Sequence, residues 1–492
     1  MTSTPVLPFD NSYARLPERF YAQLPPTPVP QPALVRVNRE LARQLGIDPD
    51  WLASAVGLAV LAGNQLPEGS TPLASAYAGH QFGSWNPQLG DGRAILLGEL
   101  VGTDGQRRDW QLKGSGQTPW SRGGDGRSPL GPVLREYLVS EAMAALGIPT
   151  TRALAAVTTG ELVYRDSALP GAVLSRVASS HIRVGTVQYF AARGDNEAIE
   201  ALIEHVIQRH YPEAADAEHP TLALLDAVVT AQAELVARWQ LVGFIHGVMN
   251  TDNMLLSGET VDYGPCAFMD SFDPNTVYSS IDHGGRYAYR NQPGIAQWNL
   301  AQLAQALLPQ LHPEPEQAVA LAEPMIDVFP ERFLEAHERG MAAKLGLAGY
   351  REEDETLVQD LLNLMHEQGT DFTLTFRALT DLAGKGATGS PVPFTLPSAF
   401  DDWLARWEQR RAEQDGDAGL LHASMLAANP VYIPRNHLVE ETIRAAEDRW
   451  DFEPFHRLAD VLIRPSVYDP ELSRYAQPPQ PDEVVAQTFC GT

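Results

Sequence analysis

The chain contains 492 residues, of which 62 are Asp or Glu and 36 are Lys or Arg, so its formal net charge is −26. Such an acidic chain is disfavoured as a general binder of nucleic acids or anionic membranes, because their phosphates would repel it. Hydrophobic residues make up 44% and charged residues 20%, a composition typical of globular proteins and not of disordered ones. At about 100–200 residues per domain, the length predicts two to four structural units.

Two cysteines, Cys266 and Cys490, are too few for a disulfide-stapled scaffold or a multi-cysteine zinc module. The N-terminus shows no basic segment followed by an apolar run, so no targeting peptide is expected. The longest apolar stretch, 222–245, is interrupted by three charged residues and is not expected to span a membrane. We therefore expect a cytoplasmic protein.

The first part of the chain carries signals for extended segments and strands. Residues 1–37 alternate proline with apolar residues, which predicts a segment that runs over a surface rather than folding alone. A helical pattern follows over 38–62, with Asp48-Pro49-Asp50 as its entry signal. Further on, the pattern predicts a hairpin with strands at 93–100 and 107–113, a helix over 132–147, and strands at 151–158, 161–165 and 171–177.

Beyond residue 181 the pattern is mainly helical. Candidate helices lie at 185–193, 196–210, 220–242, 294–308, 315–345, 352–366, 397–414 and 437–463. A sheet-rich unit followed by a larger helical unit is typical of an α+β fold and not of an alternating βαβ chain.

Several common catalytic motifs are absent, which disfavours serine hydrolases, zincins, zinc ribbons and P-loop NTPases. One window differs from the rest in charge. Residues 91–183 hold eleven Lys or Arg and nine Asp or Glu, a net charge of +2 inside a chain of −26. A basic island of this kind suits a polyphosphate ligand, although a solvated charged face would give the same count.

Two features of the basic window point to phosphate contacts. The segment Gly90-Asp91-Gly92-Arg93 precedes a predicted strand, and glycines at such a turn let the backbone approach a phosphate closely. Lys113 ends the next strand, and Glu136 on the following helix is a suitable partner, as in the strand-lysine to helix-glutamate pairing of kinases. Taken alone, these features also fit an ordinary turn and a surface ion pair.

A second set of residues lies at 243–264. The segment GFIHGVMNTDNMLL, followed by TVDYG, resembles a kinase catalytic loop and its metal-binding Asp-Phe-Gly motif. The chemistry requires two oxygen ligands, here Asn253 and Asp262, that converge on a Mg²⁺ ion bound to the nucleotide. A turn asparagine and a capping aspartate are the ordinary alternatives, but three coupled features in kinase order favour a nucleotide site.

One position departs from the kinase pattern. Where kinase loops carry a catalytic aspartate after His-Arg or His-Gly, this chain has Val248 after His246-Gly247. A kinase without its base would be inert or would do different chemistry. Asp252, directly before Asn253, is the nearest carboxylate able to accept a hydroxyl proton.

Four blocks of the sequence are highly specific: QLKGSGQTPWSRGGDGRSPLGPVLREYLVSEAM, GVMNTDNM, DYGPCAFMDSFDP and the terminal Cys-Gly-Thr. Together they resemble the selenoprotein O family over essentially the whole chain. Members of that family are protein adenylyltransferases with a pseudokinase fold, and they bind ATP flipped relative to kinases. The resemblance implies transfer of AMP from ATP to Ser, Thr or Tyr hydroxyls of protein substrates with release of pyrophosphate, and UMP transfer from UTP as an additional reaction.

The resemblance also implies roles for individual residues. Asp252 would accept the proton, Asn253 and Asp262 would hold Mg²⁺ or Mn²⁺, and Glu136 would support Lys113. The nucleotide-binding set would be Gly90, Gly92, Arg93, Lys113, Asp125, Gly126, Arg176, Arg183 and Asp262. Its arginines would give bidentate contacts to phosphate and balance the charge that develops on the pyrophosphate.

The cysteines gain meaning from the same resemblance. In eukaryotic members the tail position that corresponds to Cys490 is selenocysteine, so no selenium-specific function is expected here. Cys266 lies four residues after Asp262. We expect a reversible Cys266–Cys490 disulfide that pins the tail over the active site and regulates it; two unpaired thiols are the alternative.

The resemblance implies a protein-kinase-like fold with two lobes, one sheet-rich and one helical, and extensions at both ends. The expected units are an N-terminal extension (1–75), an N-lobe (76–180), a C-lobe (181–345), a helical extension (346–480) and a tail (481–492). We expect a monomer that acts on protein substrates and binds neither nucleic acid nor membrane. Two other functions stay open: an ordinary kinase with Asp252 as a displaced base, and a non-catalytic ATP-binding scaffold.

Overall fold

A computed structural model describes residues 7–384 and 392–489, and its centre is an antiparallel sheet. The strands are β1 (Tyr21–Gln23), β2 (Ala33–Val37), β3 (Leu73–Ser75), β4 (Gly79–Gln81), β5 (Ser84–Asn86), β6 (Ala94–Val101), β7 (Arg107–Lys113), β8 (Ser128–Pro129), β9 (Arg152–Tyr164), β10 (Ala168–Ala178), β11 (Phe244–Ile245) and β12 (Ala267–Phe268). Eight of them form one sheet in the order β1-β3-β6-β7-β10-β9-β2, with β8 paired to β10. The pairs β4–β5 and β11–β12 are separate hairpin-like ladders.

The helices follow the strands in a largely separate part of the chain. They are α1 (Arg39–Gln44), α2 (Pro49–Leu52), α3 (Ala55–Leu61), α4 (Leu130–Ala145), α5 (Val184–Ala191), α6 (Asn196–His210), α7 (Pro220–Leu241), α8 (Gln292–Leu311), α9 (Pro315–Asp327), α10 (Phe329–Leu345), α11 (Asp354–Gln368), α12 (Phe372–Ala383), α13 (Asp401–Ala412), α14 (Ala418–Ala428), α15 (Asn436–Arg449) and α16 (Glu453–Leu462). The predicted α+β class is confirmed.

The central sheet is buried on both faces. Successive residues of a strand point to opposite sides, so one strand contributes side chains to both buried layers. On β10, Val173 packs with the side chains of α1 to α3, whereas the adjacent Leu174 packs with those of α4. Apolar residues of α4, such as Leu134 and Leu138, are fully buried in the same cluster as Leu174. Burial of this kind contributes about 25 cal/mol per Å² of apolar surface and fixes α4 against the strands that carry the candidate site.

The N-terminal segment forms both edges of the sheet. In the described range 7–37, β1 pairs with β3 and β2 pairs with β9, so the predicted extended conformation is confirmed for these two strands, whereas Tyr13–Arg15 and Glu18–Phe20 form single helical turns. The helical pattern predicted over 38–62 is confirmed, and the structure divides it into the three short helices α1, α2 and α3. The predicted entry signal is correct, because the Asp48 carboxylate accepts a 2.9 Å bond from the amide of Asp50.

Several predicted boundaries change for local reasons. The predicted strands 151–158 and 161–165 are one strand, β9, because Gly160 with φ +76° continues the chain through an irregular step without ending the ladder. The predicted helix 315–345 divides at Val328, where Pro330 occupies the first turn of α10. The predicted helix 437–463 divides at Trp450, which adopts φ +55°. Helices α12 and α14 were not predicted.

Helix α7 is long and apolar enough to cross a membrane by length and composition alone. Half of its apolar window is buried within the fold, as in the core helix of a globular protein. Its remaining face carries ion pairs with α10, Arg332 to Asp226 at 2.7 Å and Arg339 to Glu234 at 2.5 Å. These contacts make α7 a packed element of the helical part.

Candidate active site

Three elements of the sheet-rich part bring charged side chains together. Lys113 is the last residue of β7, and Arg176 on β10 lies opposite Gln111 in the ladder. Gln111 and Lys113 are two residues apart and so share a face of the sheet. From α4, the Glu136 carboxylate accepts bonds from Lys113 Nζ at 2.6 Å and from Arg176 Nη1 at 3.0 Å. The predicted Lys113–Glu136 pair is confirmed as a contact, and it is buried rather than a surface ion pair.

Asp262 joins this cluster from the helical part. Its Oδ1 lies 2.9 Å from Lys113 Nζ and 2.7 Å from Arg176 Nη1, and its Oδ2 lies 2.6 Å from Arg183 Nη1. Burial opposes ionisation of this carboxylate, but the charges of Lys113, Arg183 and Arg176 outweigh it and hold the pKa of Asp262 well below its usual range. The cluster therefore holds three cations against the carboxylates of Glu136 and Asp262, an excess of one positive charge.

The backbone of Asp262 is in an uncommon conformation. Its φ is +63°, in the left-handed region that residues other than glycine rarely adopt. Strain of about 1–3 kcal/mol persists only where the surroundings fix it, and such residues gather at functional sites. Here the three cations fix the side chain, and a 2.9 Å bond from the Gly264 amide to the Asp262 carbonyl closes the turn.

Asp252 lies on a single helical turn, Thr251–Asn253, beside this cluster. Arg183 connects the two, because its guanidinium donates to the Asp252 backbone carbonyl as well as to the Asp262 carboxylate. The Asp252 side chain is buried, and this burial raises its pKa to about 6. Its Oδ2 accepts a 3.2 Å bond from Gln81 Nε2, and its Oδ1 has no hydrogen-bond partner within the described residues. Asp252 is thus a buried carboxylate with one oxygen available for a proton.

Asn253 and Asp262 are the residues expected to hold a divalent cation. No group of three or more His, Cys, Asp or Glu side chains in the described ranges is arranged to hold a metal alone. Mg²⁺ typically takes only one or two protein carboxylates and completes its shell with substrate phosphates and water. Asn253 Nδ2 donates to the Val248 carbonyl at 3.0 Å, which leaves its Oδ1 as an oxygen donor. With the Asp262 carboxylate, this donor set has the hard-oxygen chemistry that Mg²⁺ or Mn²⁺ requires.

The two glycine segments of the predicted nucleotide set border Lys113. The Arg93 carbonyl accepts a 2.7 Å bond from the amide of Gly114, the residue after Lys113. Trp120 explains why two of these positions are glycine: a Cβ on Gly90 would lie 2.4 Å from its ring, and one on Gly92 would lie 2.8 Å from its carbonyl. This close packing is a structural role that sequence reasoning did not foresee.

Asp125 and Gly126 lie in the loop that follows β7. The loop is closed by a 3.0 Å bond from the Gly116 amide to the Gly126 carbonyl. The Asp125 carboxylate is held by Arg165 at 2.9 Å and 3.0 Å, and these contacts lower its pKa. Asp125 therefore orders the loop next to Lys113, but no direct contact joins its side chain to the cluster of Lys113, Arg176 and Arg183 within the described residues.

The two cysteines differ in what the structure describes. Cys266 is fully buried behind the Asp-Tyr-Gly segment, whereas Cys490 lies outside the described residues. The described part of the tail comes close to Cys266: Thr488 Oγ1 donates to the Pro265 carbonyl at 2.5 Å, and its amide donates to the Tyr278 carbonyl at 2.8 Å. The described part of the tail thus runs beside the segment that follows Asp262.

Some residues of the site were not predicted from the sequence. The hairpin of β4 and β5 lies on the catalytic loop, where the His80 amide donates to Thr251 Oγ1 at 2.7 Å and Gln81 donates to Asp252. Gln111 Oε1 accepts bonds from Arg176 at 2.7 Å and 3.2 Å and orients its guanidinium. The sequence did contain a signal for Gln111, which lies two residues before Lys113 on the same strand and therefore on the same face. It contained no signal that the β4–β5 hairpin contacts the catalytic loop.

Comparison with known proteins decides the family. The model of the family "Protein adenylyltransferase SelO" matches residues 5–463. The chain belongs to this family. Proteins named "Protein nucleotidyltransferase YdiU" are similar over their full lengths: one from Rhodopseudomonas palustris is 61% identical over 487 residues, covering 99% of each chain. Relatives of the same name from Methylorubrum extorquens and a Bradyrhizobium species are 60% and 59% identical, and the alignments cover 99% of this chain and 100% and 99% of theirs.

Membership of the SelO family makes the chain an enzyme, a protein adenylyltransferase. The predicted resemblance to the selenoprotein O family is confirmed, as is the predicted activity. The prediction that the protein is an enzyme and not a non-catalytic scaffold is confirmed as well.

Proposed function

We propose that this SelO-family protein binds ATP between the sheet and the catalytic loop and transfers its AMP moiety to a Ser, Thr or Tyr hydroxyl of an acceptor protein. The convergence of Lys113, Arg176 and Arg183 on one carboxylate beside Asp252 carries this proposal. A site with an excess of cations suits the four charges of a nucleoside triphosphate better than it suits a neutral ligand. The expected contacts of Gly90, Gly92, Arg93, Asp125 and Gly126 would complete the nucleotide site.

In the proposed reaction, the acceptor hydroxyl oxygen attacks the α-phosphorus of ATP. The new oxygen–phosphorus bond replaces the bond between the α-phosphorus and the oxygen that bridges to the β-phosphate, so pyrophosphate leaves. The hydroxyl proton passes to the Asp252 carboxylate, whose Oδ1 accepts no other hydrogen bond within the described residues. Lys113, Arg176 and Arg183 stabilise the negative charge that develops on the pyrophosphate.

Asn253 and Asp262 would hold a Mg²⁺ or Mn²⁺ ion, which supplies charge neutralisation of the phosphates when bound. For that ligation, the Asp262 carboxylate has to exchange part of its contacts with Lys113 and the two arginines. The phosphates of ATP offer these cations new partners. The chain's own residues can therefore pass from an internal ion-pair cluster to a polyphosphate-binding cluster without burying an unpaired charge.

The architecture we propose is protein-kinase-like, with a sheet-rich N-lobe at 76–180, a helical C-lobe at 181–345, an N-terminal extension at 1–75, a helical extension at 346–480 and a tail at 481–492. A strand lysine paired with a helix glutamate at 2.6 Å supports this reading. We further propose a cytoplasmic monomer in which a Cys266–Cys490 disulfide regulates activity. UMP transfer from UTP is an additional proposed reaction.

Incubation of the protein and an acceptor with ATP labelled at the α- or γ-phosphate tests the proposed function. Label on protein from the α-position alone supports adenylylation. Label from the γ-position alone would make the protein a kinase with Asp252 as a displaced base. Absence of transfer from either position, with ATP still bound, would make it a scaffold.

A further inference from the structure

A patch of arginine and tryptophan side chains lies beside the catalytic loop. We call it the arginine face and define it by Trp85, Arg286, Arg290 and Trp298. It borders an open surface cavity of about 460 Å³, which is lined by Arg286, Arg290, Asn291, Gly294 and Ile295. Trp85 is 40% exposed, which is unusual for a tryptophan and leaves apolar surface available for contact.

A chain of ring contacts joins the arginine face to Asp252. The His80 ring lies 4.9 Å from the Trp85 ring and 5.3 Å from the Trp298 ring, and the Arg286 guanidinium lies 5.0 Å from the Trp298 ring. The residue after His80 is Gln81, which donates to the Asp252 carboxylate. A segment bound on the arginine face would therefore lie close to the proposed proton acceptor.

The backbone that carries Arg286 is fixed to the catalytic loop. The Asp282 carboxylate accepts bonds from the amides of Arg286 and Tyr287 at 2.9 Å and 2.8 Å. Tyr287 then donates from its hydroxyl to Asn250 Oδ1 at 2.7 Å, and the same oxygen accepts a 3.0 Å bond from the amide of Phe82 in the β4–β5 hairpin. Asn250 thus fixes the segment that carries Arg286 and the β4–β5 hairpin that carries Trp85 relative to each other. A surface fixed in advance loses less conformational entropy when a ligand binds.

The arginines of the arginine face form no ion pair with the part of the chain that the structure describes. Within the described ranges, neither Arg286 nor Arg290 has a carboxylate oxygen within 4.0 Å, and Arg286 Nε is buried without a hydrogen-bond acceptor. By contrast, the buried guanidiniums of Arg176, Arg183 and Arg435 are all paired with carboxylates. Arg286 and Arg290 also line the same open cavity. They are complementary to a ligand that brings its own carboxylates.

We propose that the arginine face binds an acidic segment of the acceptor protein next to the hydroxyl that receives AMP. Arg286 and Arg290 would bind Asp or Glu side chains of that segment, and Trp85 would contact its apolar residues. This inference rests on the proposed function and adds to it a class of acceptor. An acidic protein that repels other acidic surfaces at long range needs such a local basic surface to dock them.

Matched peptides test the proposal. One carries a single Ser flanked by Glu residues, a second replaces each Glu with Gln, and a third replaces each Glu with Lys. We expect AMP transfer from α-labelled ATP to be about tenfold more efficient with the Glu peptide than with the Gln peptide, and this preference to weaken with salt. Fluorescence anisotropy of the same labelled peptides measures their binding without requiring transfer.

Charge reversal at Arg290 separates docking from loss of fold. Arg290→Glu should abolish the preference for the Glu peptide and favour the Lys peptide, an inversion that a misfolded enzyme would not produce. Arg286→Gln should weaken the preference without inverting it. Arg449→Glu makes the same charge change at an exposed arginine at the end of α15, and it should leave the preference as in the wild type.

The outcomes distinguish the two levels of inference. AMP transfer that is indifferent to flanking charge, or a preference that survives Arg290→Glu, would overturn the docking proposal and leave the proposed function intact. Peptide binding that depends on Arg290 without any AMP transfer would support the arginine face and count against the proposed function. Binding of a single-stranded oligonucleotide at Arg290 as tightly as the Glu peptide would also overturn the proposal. The arginine face would then bind any negatively charged polymer and would not be specific for an acidic protein segment.

Discussion

Lys113 Nζ lies 2.9 Å from Asp262 Oδ1, so the strand lysine is bound to the same carboxylate that we propose as a metal ligand. Arg176 and Arg183 bind this carboxylate too. A single carboxylate therefore contacts all three cations of the nucleotide site. Binding of ATP with its metal requires these cations to move from Asp262 to the phosphates, which couples metal ligation to phosphate binding.

Asp262→Asn should separate the two effects. We expect AMP transfer to fall by more than about a hundredfold, because the amide is a poor metal ligand. Affinity for ATP in EDTA should rise, by about tenfold, because the three cations lose their neutralising charge. Isothermal titration calorimetry and transfer from α-labelled ATP measure the two quantities. Asp273→Asn, an exposed aspartate of the same segment, should change neither, and undiminished transfer by Asp262→Asn would remove the metal assignment.

Asp252→Asn should affect the chemical step alone. The substitution keeps the shape of a buried side chain but removes its ability to accept a proton, so kcat should fall by about 10²–10⁴-fold. The side chain of Asp252 makes no ion pair with Lys113, Arg176 or Arg183 in the described structure, so the ATP affinity should stay near that of the wild type. A loss of ATP binding equal to the loss of transfer would instead assign Asp252 to the nucleotide site.

The sequence was most informative where spacing and local pattern are sufficient. β7 ends at Lys113 as predicted, because alternation and the turn before the strand set its limits. The pairing with Glu136 followed from placing a carboxylate on the helix after that strand, and the structure has it at 2.6 Å. The position of Asp262 followed from the Asp-Tyr-Gly pattern, but its contacts with all three cations depend on how the sheet and the helical part meet.

Long-range contacts explain what the sequence did not contain. Gln81 and Asp252 are 171 residues apart, and nothing in the composition of the β4–β5 hairpin indicates that it packs on the catalytic loop. Trp450 ends α15 with φ +55°, although tryptophan has no local preference for that conformation. In both cases tertiary packing selects a conformation that local propensity does not favour.

Gly79→Ala should disturb the active site through the hairpin. A Cβ at this position would lie 2.7 Å from Asp252 Oδ1 and 3.1 Å from its Cβ, so either the hairpin or the carboxylate has to shift. We expect kcat to fall about tenfold or more, since displacements near 1 Å at a reacting group are costly. Gly349→Ala, where a Cβ meets nothing within 4 Å, is the matched control. Equal activity of the two variants would show that the hairpin does not position Asp252.

Cys490→Ser should remove any redox response of the enzyme. The tail lies beside the residue that precedes Cys266, through the contact of Thr488 with Pro265. If a Cys266–Cys490 disulfide regulates the site, wild-type activity should differ between oxidising and reducing buffers, and the variant should behave alike in both. After oxidation and unfolding, Cys266 of the wild type should resist alkylation, because its thiol is in the disulfide. Cys266 of the variant, treated in the same way, should be alkylated. Equal activity of the two proteins under both conditions would overturn the switch.

Lys344 should give the protein a stability that depends on pH. Its ammonium is buried on α10, 4.1 Å from the ring of Phe376, and among the described residues it donates one hydrogen bond, to the Ala428 carbonyl at 3.4 Å. Burial lowers the pKa of Lys344 to about 7, whereas a lysine in the unfolded chain titrates near about 10.4. Between these values the unfolded state binds more protons, so the free energy of unfolding rises with pH in this window.

Lys344→Met removes this dependence. At pH 7 the variant should be more stable than the wild type, because it buries no charge without a carboxylate partner. This advantage should shrink by up to about 1.4 kcal/mol for each pH unit above 7 as the buried amine of the wild type loses its proton. Urea unfolding at several pH values measures the difference. Arg339→Met, on the exposed side of the same helix, is the control. Arg339 stays charged in the wild type throughout this pH range, so the stability difference between this variant and the wild type should be constant. A constant difference for Lys344→Met as well would show that Lys344 keeps its proton in the folded state.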